Sequence, residues 1–235
     1  MKLLLRILAI GGLCAAIHAA AAEAFEGKVT FSMTADKGRM QDMNYSMKAG
    51  KVRMDIAAEG HPMSTIMDLA KLEMLMLMPE QKMYMVMPIK QPVETAMEKA
   101  AESTADIERT GKTEKILGYD CEQILVKDKG TVTELWVASG LGTFMGLGSG
   151  GPMGGGGMFG GGRKGGGAAG AKWEEVLKGK GGFPLRVVSR DAKGKEAFKM
   201  EVKKIEPGAL PDSLFVPPEG FQKFDMGAMG GILKR

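Results

Sequence analysis

Cysteine and histidine are nearly absent from this 235-residue chain, which contains 2 of each. Zinc sites need several such ligands at short spacings, and Ser–His–Asp or Cys–His catalysis needs a histidine beside the nucleophile. The G-x-S-x-G nucleophile elbow and the G-x-x-x-x-G-K-[ST] phosphate loop are missing as well. The sequence therefore predicts a protein without enzyme activity, without a metal site and without a cofactor.

Long hydrophobic runs are also missing, apart from a short one near the N-terminus. Lys2 and Arg6 precede an apolar run over Ile7–Ile17, and Ala19–Ala22 follow it. This order is typical of a cleavable secretory signal peptide, whereas a membrane anchor needs about 20 apolar residues. We expect residues 1–24 to be removed on export, which leaves a periplasmic, monomeric chain with no transmembrane segment.

Positive charge is not concentrated anywhere in the chain. The net charge is +4, and basic and acidic residues are interspersed throughout. A nucleic-acid-binding protein would be expected to cluster its Lys and Arg on one face or along one helix. The charge pattern therefore predicts no nucleic-acid partner.

One cysteine and one histidine remain after the predicted cleavage. Cys121 lies between Asp120 and Glu122, whose carboxylates would raise the pKa of its thiol, so we expect a buried and inert residue. His61 precedes Pro62 and is predicted to lie in an exposed turn. Neither residue has a sequence neighbour that would activate it.

Glycine, by contrast, is abundant, and much of it lies in one segment. From residue 140 to residue 170, 17 of 31 residues are Gly. Burial of the few side chains there does not offset so much backbone freedom. We expect a flexible loop at 140–170, inserted into a single β-rich domain of residues 25–139 and 171–225, and a flexible tail at 226–235.

Alternation of apolar and polar residues predicts strands along most of the remaining chain. Helical spacing of apolar residues predicts a helix over 93–109, and a second, short helix is expected at 173–178. The expected fold is mainly β, a curved antiparallel sheet or half-open barrel of about nine strands with one covering helix. The strand-like segments are 28–33, 43–47, 51–56, 63–69, 72–78, 83–87, 115–126, 131–138, 183–190 and 195–205.

Methionine occupies alternate positions in two consecutive predicted strands, 72–78 and 83–87. The insert 79–82 begins with Pro79, which is typical of a tight turn. Directly opposed residues of a hairpin share one sheet face, so the methionines would face one another in pairs. The predicted patch comprises Met74 with Met87, Met76 with Met85, and Met78 with Met83.

The opposite face of this hairpin is also apolar, because it carries Leu75, Leu77, Tyr84 and Val86. An antiparallel sheet usually leaves one face in water, so a second apolar face needs a cover. The predicted helix at 93–109 is the expected cover.

The methionine patch is open to three interpretations. Methionine is unbranched and polarizable, so it suits surfaces that bind ligands of varied shape, but it also fills irregular cores. We interpret the patch as a groove for an apolar ligand, a lipid or the acyl chain of a lipidated protein. The alternatives are a structural or protein-interaction module of the cell envelope and, less favoured, Cu(I) binding by soft thioether ligands.

Four further segments carry a resemblance to a known family: Gly118–Glu122, Leu135–Ala138, Gly182–Leu185 and Leu210–Phe221, the last reading LPDSLFVPPEGF. With them, the chain resembles exported bacterial proteins of a domain-of-unknown-function family that are similar to the LolA/LolB-like lipoprotein carriers. The resemblance spans roughly residues 25–225 without the glycine-rich segment. It implies an incomplete barrel wrapped round a helix, with an apolar concave face that holds acyl chains in some relatives. It implies no catalytic residue.

Overall fold

The computed structural model describes residues 25–35, 39–58, 61–89, 106–142, 144, 177 and 182–224. In these residues 12 strands form one curved sheet, which confirms the mainly β class and shows that the predicted count of about nine is wrong. The strands are β1 (Gly27–Ala35), β2 (Arg39–Lys48), β3 (Lys51–Ala58), β4 (His61–Asp68), β5 (Glu73–Met78), β6 (Met83–Pro88), β7 (Asp106–Ile116), β8 (Tyr119–Asp128), β9 (Thr131–Ala138), β10 (Phe183–Arg190), β11 (Glu196–Pro207) and β12 (Gln222–Lys223).

The sheet has two halves that meet where β1 pairs with β11. Its strand order is β12-β6-β5-β4-β3-β2-β1-β11-β10-β9-β8-β7. All pairs are antiparallel except β12 with β6, which is parallel. Strands β6 and β7 are consecutive in the chain but lie near opposite edges, and residues 90–105 join them.

The helix expected over 93–109 is wrong at its C-terminal end. Residues Asp106–Arg109 begin β7 and pair with Ile124–Lys127 of β8. The ladder with β8 satisfies their backbone groups, and such tertiary pairing overrides the local preference of a segment rich in Ala and Glu. The rest of that predicted helix lies outside the described residues, as does most of the one expected at 173–178.

A two-residue turn that the sequence prediction missed accounts for one of the strands beyond the predicted number. At Ala49–Gly50, Leu117–Gly118 and Lys129–Gly130 both residues have positive φ, from 44° to 88°. This is the geometry of type I′ hairpin turns, which match the twist of the flanking strands. Leu117–Gly118 divides the predicted strand 115–126 into β7 and β8. Leu-Gly lacks the Asn or Asp that normally identifies such a turn, so the sequence prediction missed it.

The main core lies on one face of the sheet, which we call the inner face. At its centre four aromatic rings pack with centroids 5.3–6.0 Å apart. These rings belong to Phe31, Tyr45, Phe144 and Phe183. Phe144 comes from the segment predicted as a flexible loop, and it is fully buried together with Leu141. The beginning of the glycine-rich segment is therefore part of the core, while residues 145–176 lie outside the described residues.

A second, smaller core lies on the opposite, outer face of β4–β6. Residues 210–224, which we call the C-terminal strap, pack their apolar side chains there. The strap includes a short 3₁₀ helix (Asp212–Phe215) and ends on β12, where the Phe224 N–H donates to the Tyr84 carbonyl at 2.7 Å. The cluster comprises Ile66, Leu77, Leu210 and Phe215, with Leu75, Tyr84, Leu214 and Phe221 partly buried around it. The strap thus covers the face for which the sequence predicted a helix.

Polar contacts fix the strap to β2 and β3. The Arg53 guanidinium donates to the Leu214 carbonyl at 3.0 Å and to both Asp55 carboxylate oxygens. The Lys48 ammonium lies 3.1 Å from Asp212 and also donates to the Leu210 carbonyl. These contacts satisfy carbonyl groups of an irregular segment that has no ladder partner of its own.

Candidate functional site

The inner face of β4, β5 and β6 is built almost entirely from methionine. Cross-strand registers place Met67 opposite Met74 and Thr65 opposite Met76. On the next strand, Met87, Met85 and Met83 stand opposite Met74, Met76 and Met78. The three hairpin pairs predicted from sequence are therefore confirmed as neighbours on one face.

Strand β4 extends this block beyond the prediction. Met63 pairs with Ile56 of β3, so its side chain shares the face of Thr65 and Met67. From Met63 onward in β4, and throughout β5 and β6, the inner positions are thus occupied by eight methionines and one threonine. We call this set the methionine lattice: Met63, Thr65, Met67, Met74, Met76, Met78, Met83, Met85 and Met87. The Met63-x-Thr65-x-Met67 alternation was the signal for these three missed members.

The lattice is buried at its centre and partly open at its margin. Met76 and Met85 are each 5% exposed, and Thr65 and Met67 are similarly buried. The remaining members, Met63, Met74, Met78, Met83 and Met87, are half-buried. The result is a shallow apolar surface whose outer side chains are accessible.

The outer positions of the same strands have a different composition. They include Ile66, Leu75, Leu77, Tyr84 and Val86, and no methionine. Of these, Ile66 and Leu77 are completely or almost completely buried beneath the strap. Both faces of β4–β6 are therefore apolar, as predicted. Within the described residues, only the outer face of these strands is covered by a segment with side chains stiffer than methionine, and that segment is the strap.

A separate cleft of about 220 Å³ lies near the other edge of the sheet, where β7, β8 and β9 end. Its walls carry an ion pair in which Arg109 donates to Glu122 at 2.5 Å. Gly182 is required there, because a Cβ at that position would clash with Val137 Cγ1. The lining residues are Arg109, Thr113, Asp120, Cys121, Glu122, Ile124, Val137, Ser139, Leu177 and Gly182.

Cys121 lies at this cleft but is only 1% exposed, which confirms the expected burial. Burial raises the pKa of its thiol, and the nearby carboxylates of Glu114 and Asp120 raise it further. The neutral thiol is a poor nucleophile, because the thiolate is the reactive form. Its Sγ lies 3.5 Å from the Tyr119 carbonyl, to which it donates. The cleft therefore offers no activated cysteine.

The prediction for His61 is wrong in its local structure. The residue does not lie in a turn but begins β4, where it pairs with Ala58. Pro62 follows within the strand, at a position near the strand's start that tolerates a missing N–H.

The described residues contain neither a metal-binding cluster nor a membrane-spanning helix. No group of three or more His, Cys, Asp and Glu side chains there is arranged to hold a metal ion. None of the helices in that part of the chain has the length and apolarity to cross a membrane.

Similar solved structures share little sequence with this chain. An uncharacterized conserved protein from Thermus thermophilus is 12% identical, with a TM-score of 0.48 over 85% of this chain and 90% of that one. A chain of the Pseudomonas aeruginosa MucA/MucB complex is 13% identical, with a TM-score of 0.44 over 82% of this chain and 56% of that one. A domain described as outer membrane lipoprotein-sorting, from Vibrio parahaemolyticus, is 10% identical, with a TM-score of 0.27 over 80% and 87%.

No curated protein matches the chain. A family profile matches residues 25–221, which include strands β1 to β11 and most of the strap. The match contains all four segments from which the family resemblance was inferred, and the structure gives two of them clear packing roles. Gly182 fits tightly against Val137, and Leu210 and Phe215 anchor the strap. The chain belongs to the domain of unknown function family DUF4412.

Proposed function

We propose that this protein is a non-enzymatic periplasmic binder of an apolar ligand, a lipid or the acyl chain of a lipidated protein, and that the methionine lattice contacts it. The observation that carries the proposal is the lattice itself, with eight methionines on one face of three adjacent strands. Its half-buried margin gives a ligand access to side chains that are already apolar.

Methionine suits this role because its side chain is unbranched and rotates about three bonds. It adapts to ligands of varied shape, whereas a branched side chain keeps one preferred arrangement. The nine lattice positions carry no charged group, and their only hydroxyl belongs to the buried Thr65. An acyl chain on this surface would therefore desolvate no charge.

The size of the lattice sets the affinity to expect. Strand spacing and residue rise give a surface of roughly 10 by 13 Å. Burying about 130 Å² on each partner at about 25 cal/mol/Å² contributes about 6 kcal/mol before the cost of association. That corresponds to a dissociation constant of tens of micromolar or weaker. Tight binding would need contacts beyond the lattice.

The test is displacement of a fluorescent fatty acid by palmitate, measured on the purified protein and two matched variants. Met83 and Val86 are both half-buried residues of β6, and they lie on opposite faces. We expect Met83→Glu to weaken binding at least about tenfold, because the ligand would cover a carboxylate. Val86→Glu should stay within about twofold of the unmodified protein, since it changes the outer face only.

Two outcomes would contradict the proposal. One is the absence of palmitate binding at several hundred micromolar, roughly ten times the expected dissociation constant. The other is equal weakening by both variants, which would place the ligand elsewhere or indicate a general loss of folding. Circular dichroism of both variants separates these two explanations.

The state of Cys121 supports the absence of enzyme activity in this proposal. Its thiol is buried and held neutral, and the adjacent cleft has its arginine and one glutamate paired with each other. The periplasmic location is supported by the signal-peptide pattern of residues 1–24, which lie outside the described residues. Export of a reporter fused after residue 24 would test it.

A further inference from the structure

The margin of the methionine lattice contains two directly opposed pairs of half-buried thioethers. Met74 faces Met87, and Met78 faces Met83. Between these pairs lies the buried pair Met76 and Met85. Sulfur accessibility is therefore graded across one continuous surface, from its margin to its centre.

We propose that the four half-buried methionines of the β5–β6 hairpin, Met74, Met78, Met83 and Met87, which we call the rim methionines, are a reversible oxidation site that controls ligand release from the lattice. This inference rests on the proposed apolar-ligand function and adds its regulation. The oxidant class is a two-electron oxygen donor such as hydrogen peroxide. The thioether sulfur attacks one peroxide oxygen, a S–O bond forms as the O–O bond breaks, and the other oxygen leaves as water. Sulfur is oxidised to the sulfoxide and peroxide is reduced.

Sulfoxides at the rim would change the character of the surface. Each adds a strong hydrogen-bond acceptor, and burying such a group without a donor costs free energy. Among the nine lattice positions the only hydroxyl donor is that of Thr65, which is itself buried. An acyl chain laid over an oxidised rim would cover four unsatisfied acceptors. Oxidation should therefore expel an apolar ligand. Reduction by a dithiol, the class of reductant that methionine sulfoxide reductases use, removes the oxygen as water while the dithiol becomes a disulfide, and it should restore the surface.

The outer face of the same strands serves as a comparison, because it carries no methionine. Its apolar residues beneath the strap are Ile66, Leu75 and Leu77, whose hydrocarbon side chains resist oxidation by hydrogen peroxide. Only the inner face of β5 and β6 can respond to a peroxide, since their sulfur atoms all lie there.

The first experiment follows peroxide oxidation by peptide mass spectrometry, with and without palmitate. We expect the rim methionines to oxidise at least about fivefold faster than Met76 and Met85, because sulfoxidation follows exposure. Palmitate should slow oxidation at the rim only. Met40, which is 71% exposed on β2, provides the internal control and should react at the same rate in both samples.

The second experiment measures palmitate binding after oxidation and after treatment with methionine sulfoxide reductases. Oxidised protein should bind at least about tenfold more weakly, and the reductases should restore binding. A fourfold variant, Met74→Leu, Met78→Leu, Met83→Leu and Met87→Leu, keeps an apolar surface of similar volume. Whatever dissociation constant this variant has for palmitate before oxidation, peroxide treatment should leave that constant unchanged, whereas it should raise that of the unmodified protein.

Three outcomes would overturn the inference. Equal oxidation rates at the rim and at Met76 and Met85 would exclude a selective site, whether or not palmitate binds. Undiminished binding by protein with four rim sulfoxides would exclude the control of ligand release. Loss of binding by the peroxide-treated leucine variant would place the sensitive residue elsewhere. If reduced protein fails to bind palmitate at all, the proposed function fails, and the order of oxidation alone decides whether the rim is a modification site.

Discussion

The two faces of β4–β6 are both apolar, but they carry different kinds of side chain. On the outer face, Ile66 and Leu77 pack against Leu210 and Phe215 of the strap. On the inner face, from Met63 of β4 onward and throughout β5 and β6, methionine fills every position except that of Thr65. Branched and aromatic side chains have few rotamers and suit a fixed partner, whereas methionine adapts to a variable one. Under the proposed function, the outer face has a permanent cover and the inner face has a changeable one.

Methionine alone does not identify an open surface in this molecule. Met43, Met54 and Met200 are almost completely buried in the main core. There they pack beside stiffer residues such as Val29 and Phe31. Met67 of the lattice belongs to that core as well, and Met74 packs against it. What distinguishes the lattice positions is that none carries a branched aliphatic or aromatic side chain, and that those at the margin are half-buried. The following predictions test that distinction, beginning with the largest expected effect.

Adjacent residues of β5 give the most direct test of the two faces. Leu77 points to the outer core and is 1% exposed, whereas Met78 is a half-buried member of the lattice. Leu77→Asp should lower the free energy of unfolding by about 4 kcal/mol or more, because it buries an unpaired carboxylate. Met78→Asp should cost about 1 kcal/mol, since its carboxylate can reach water. Urea denaturation of both variants measures the difference, and equal losses would mean that the inner face is as permanently covered as the outer one.

The strap should contribute a large share of the outer-face stability through one aromatic anchor. Phe215→Ala should cost about 3 kcal/mol, because it leaves a cavity between the strap and the sheet. The neighbouring Val216 is 47% exposed, and Val216→Ala should change stability by less than about 0.5 kcal/mol. Thermal unfolding followed by circular dichroism measures both. A loss near zero for Phe215→Ala would show that the strap is not a fixed cover.

Much of the sheet could be predicted from sequence because its strands obey a strict two-residue alternation. The methionine pairing followed from the four-residue insert 79–82, which fixes the register of its hairpin. The turn at Leu117–Gly118 could not be predicted in the same way, because Leu has no intrinsic preference for positive φ and adopts it here at 50°. Local sequence shows which residues alternate, but not where an unusual turn interrupts them.

The two covers of the sheet were harder to predict because both depend on contacts distant in sequence. Phe144 lies in a glycine-rich segment, yet its ring stacks on Tyr45 with centroids 5.3 Å apart. The segment 210–221 resembles a family motif, but only the folded sheet shows that its apolar residues face Ile66 and Leu77. Composition describes the average of a segment and says little about one aromatic residue within it.

The polar attachment of the strap should be weaker than its apolar anchor. Arg53→Leu removes the donors to Asp55 and to the Leu214 carbonyl, so it should cost about 1–2 kcal/mol. Amide hydrogen exchange at Phe221, Gln222 and Phe224 should accelerate, because local opening of the strap becomes easier. The control is Lys127→Leu, which breaks the exposed Lys127–Glu108 pair and should leave stability unchanged. Unaltered exchange in Arg53→Leu would show that apolar packing alone holds the strap.

The smallest effect is expected from shortening the glycine-rich segment that follows Phe144 in the sequence. Deleting residues 148–170 should change the free energy of unfolding by less than about 1 kcal/mol, because loop-closure entropy depends only weakly on length. The deletion must leave Phe144 in place, because its ring is fully buried among Phe31, Tyr45 and Phe183. A longer deletion over 142–170 removes this ring and should cost about 3–5 kcal/mol. Urea denaturation of the two deletions separates the aromatic anchor from the glycine-rich remainder. A large loss of unfolding free energy from the shorter deletion would mean that residues 148–170 themselves cover the inner face. Palmitate binding by that variant would then show whether these residues compete with a ligand for the methionine lattice.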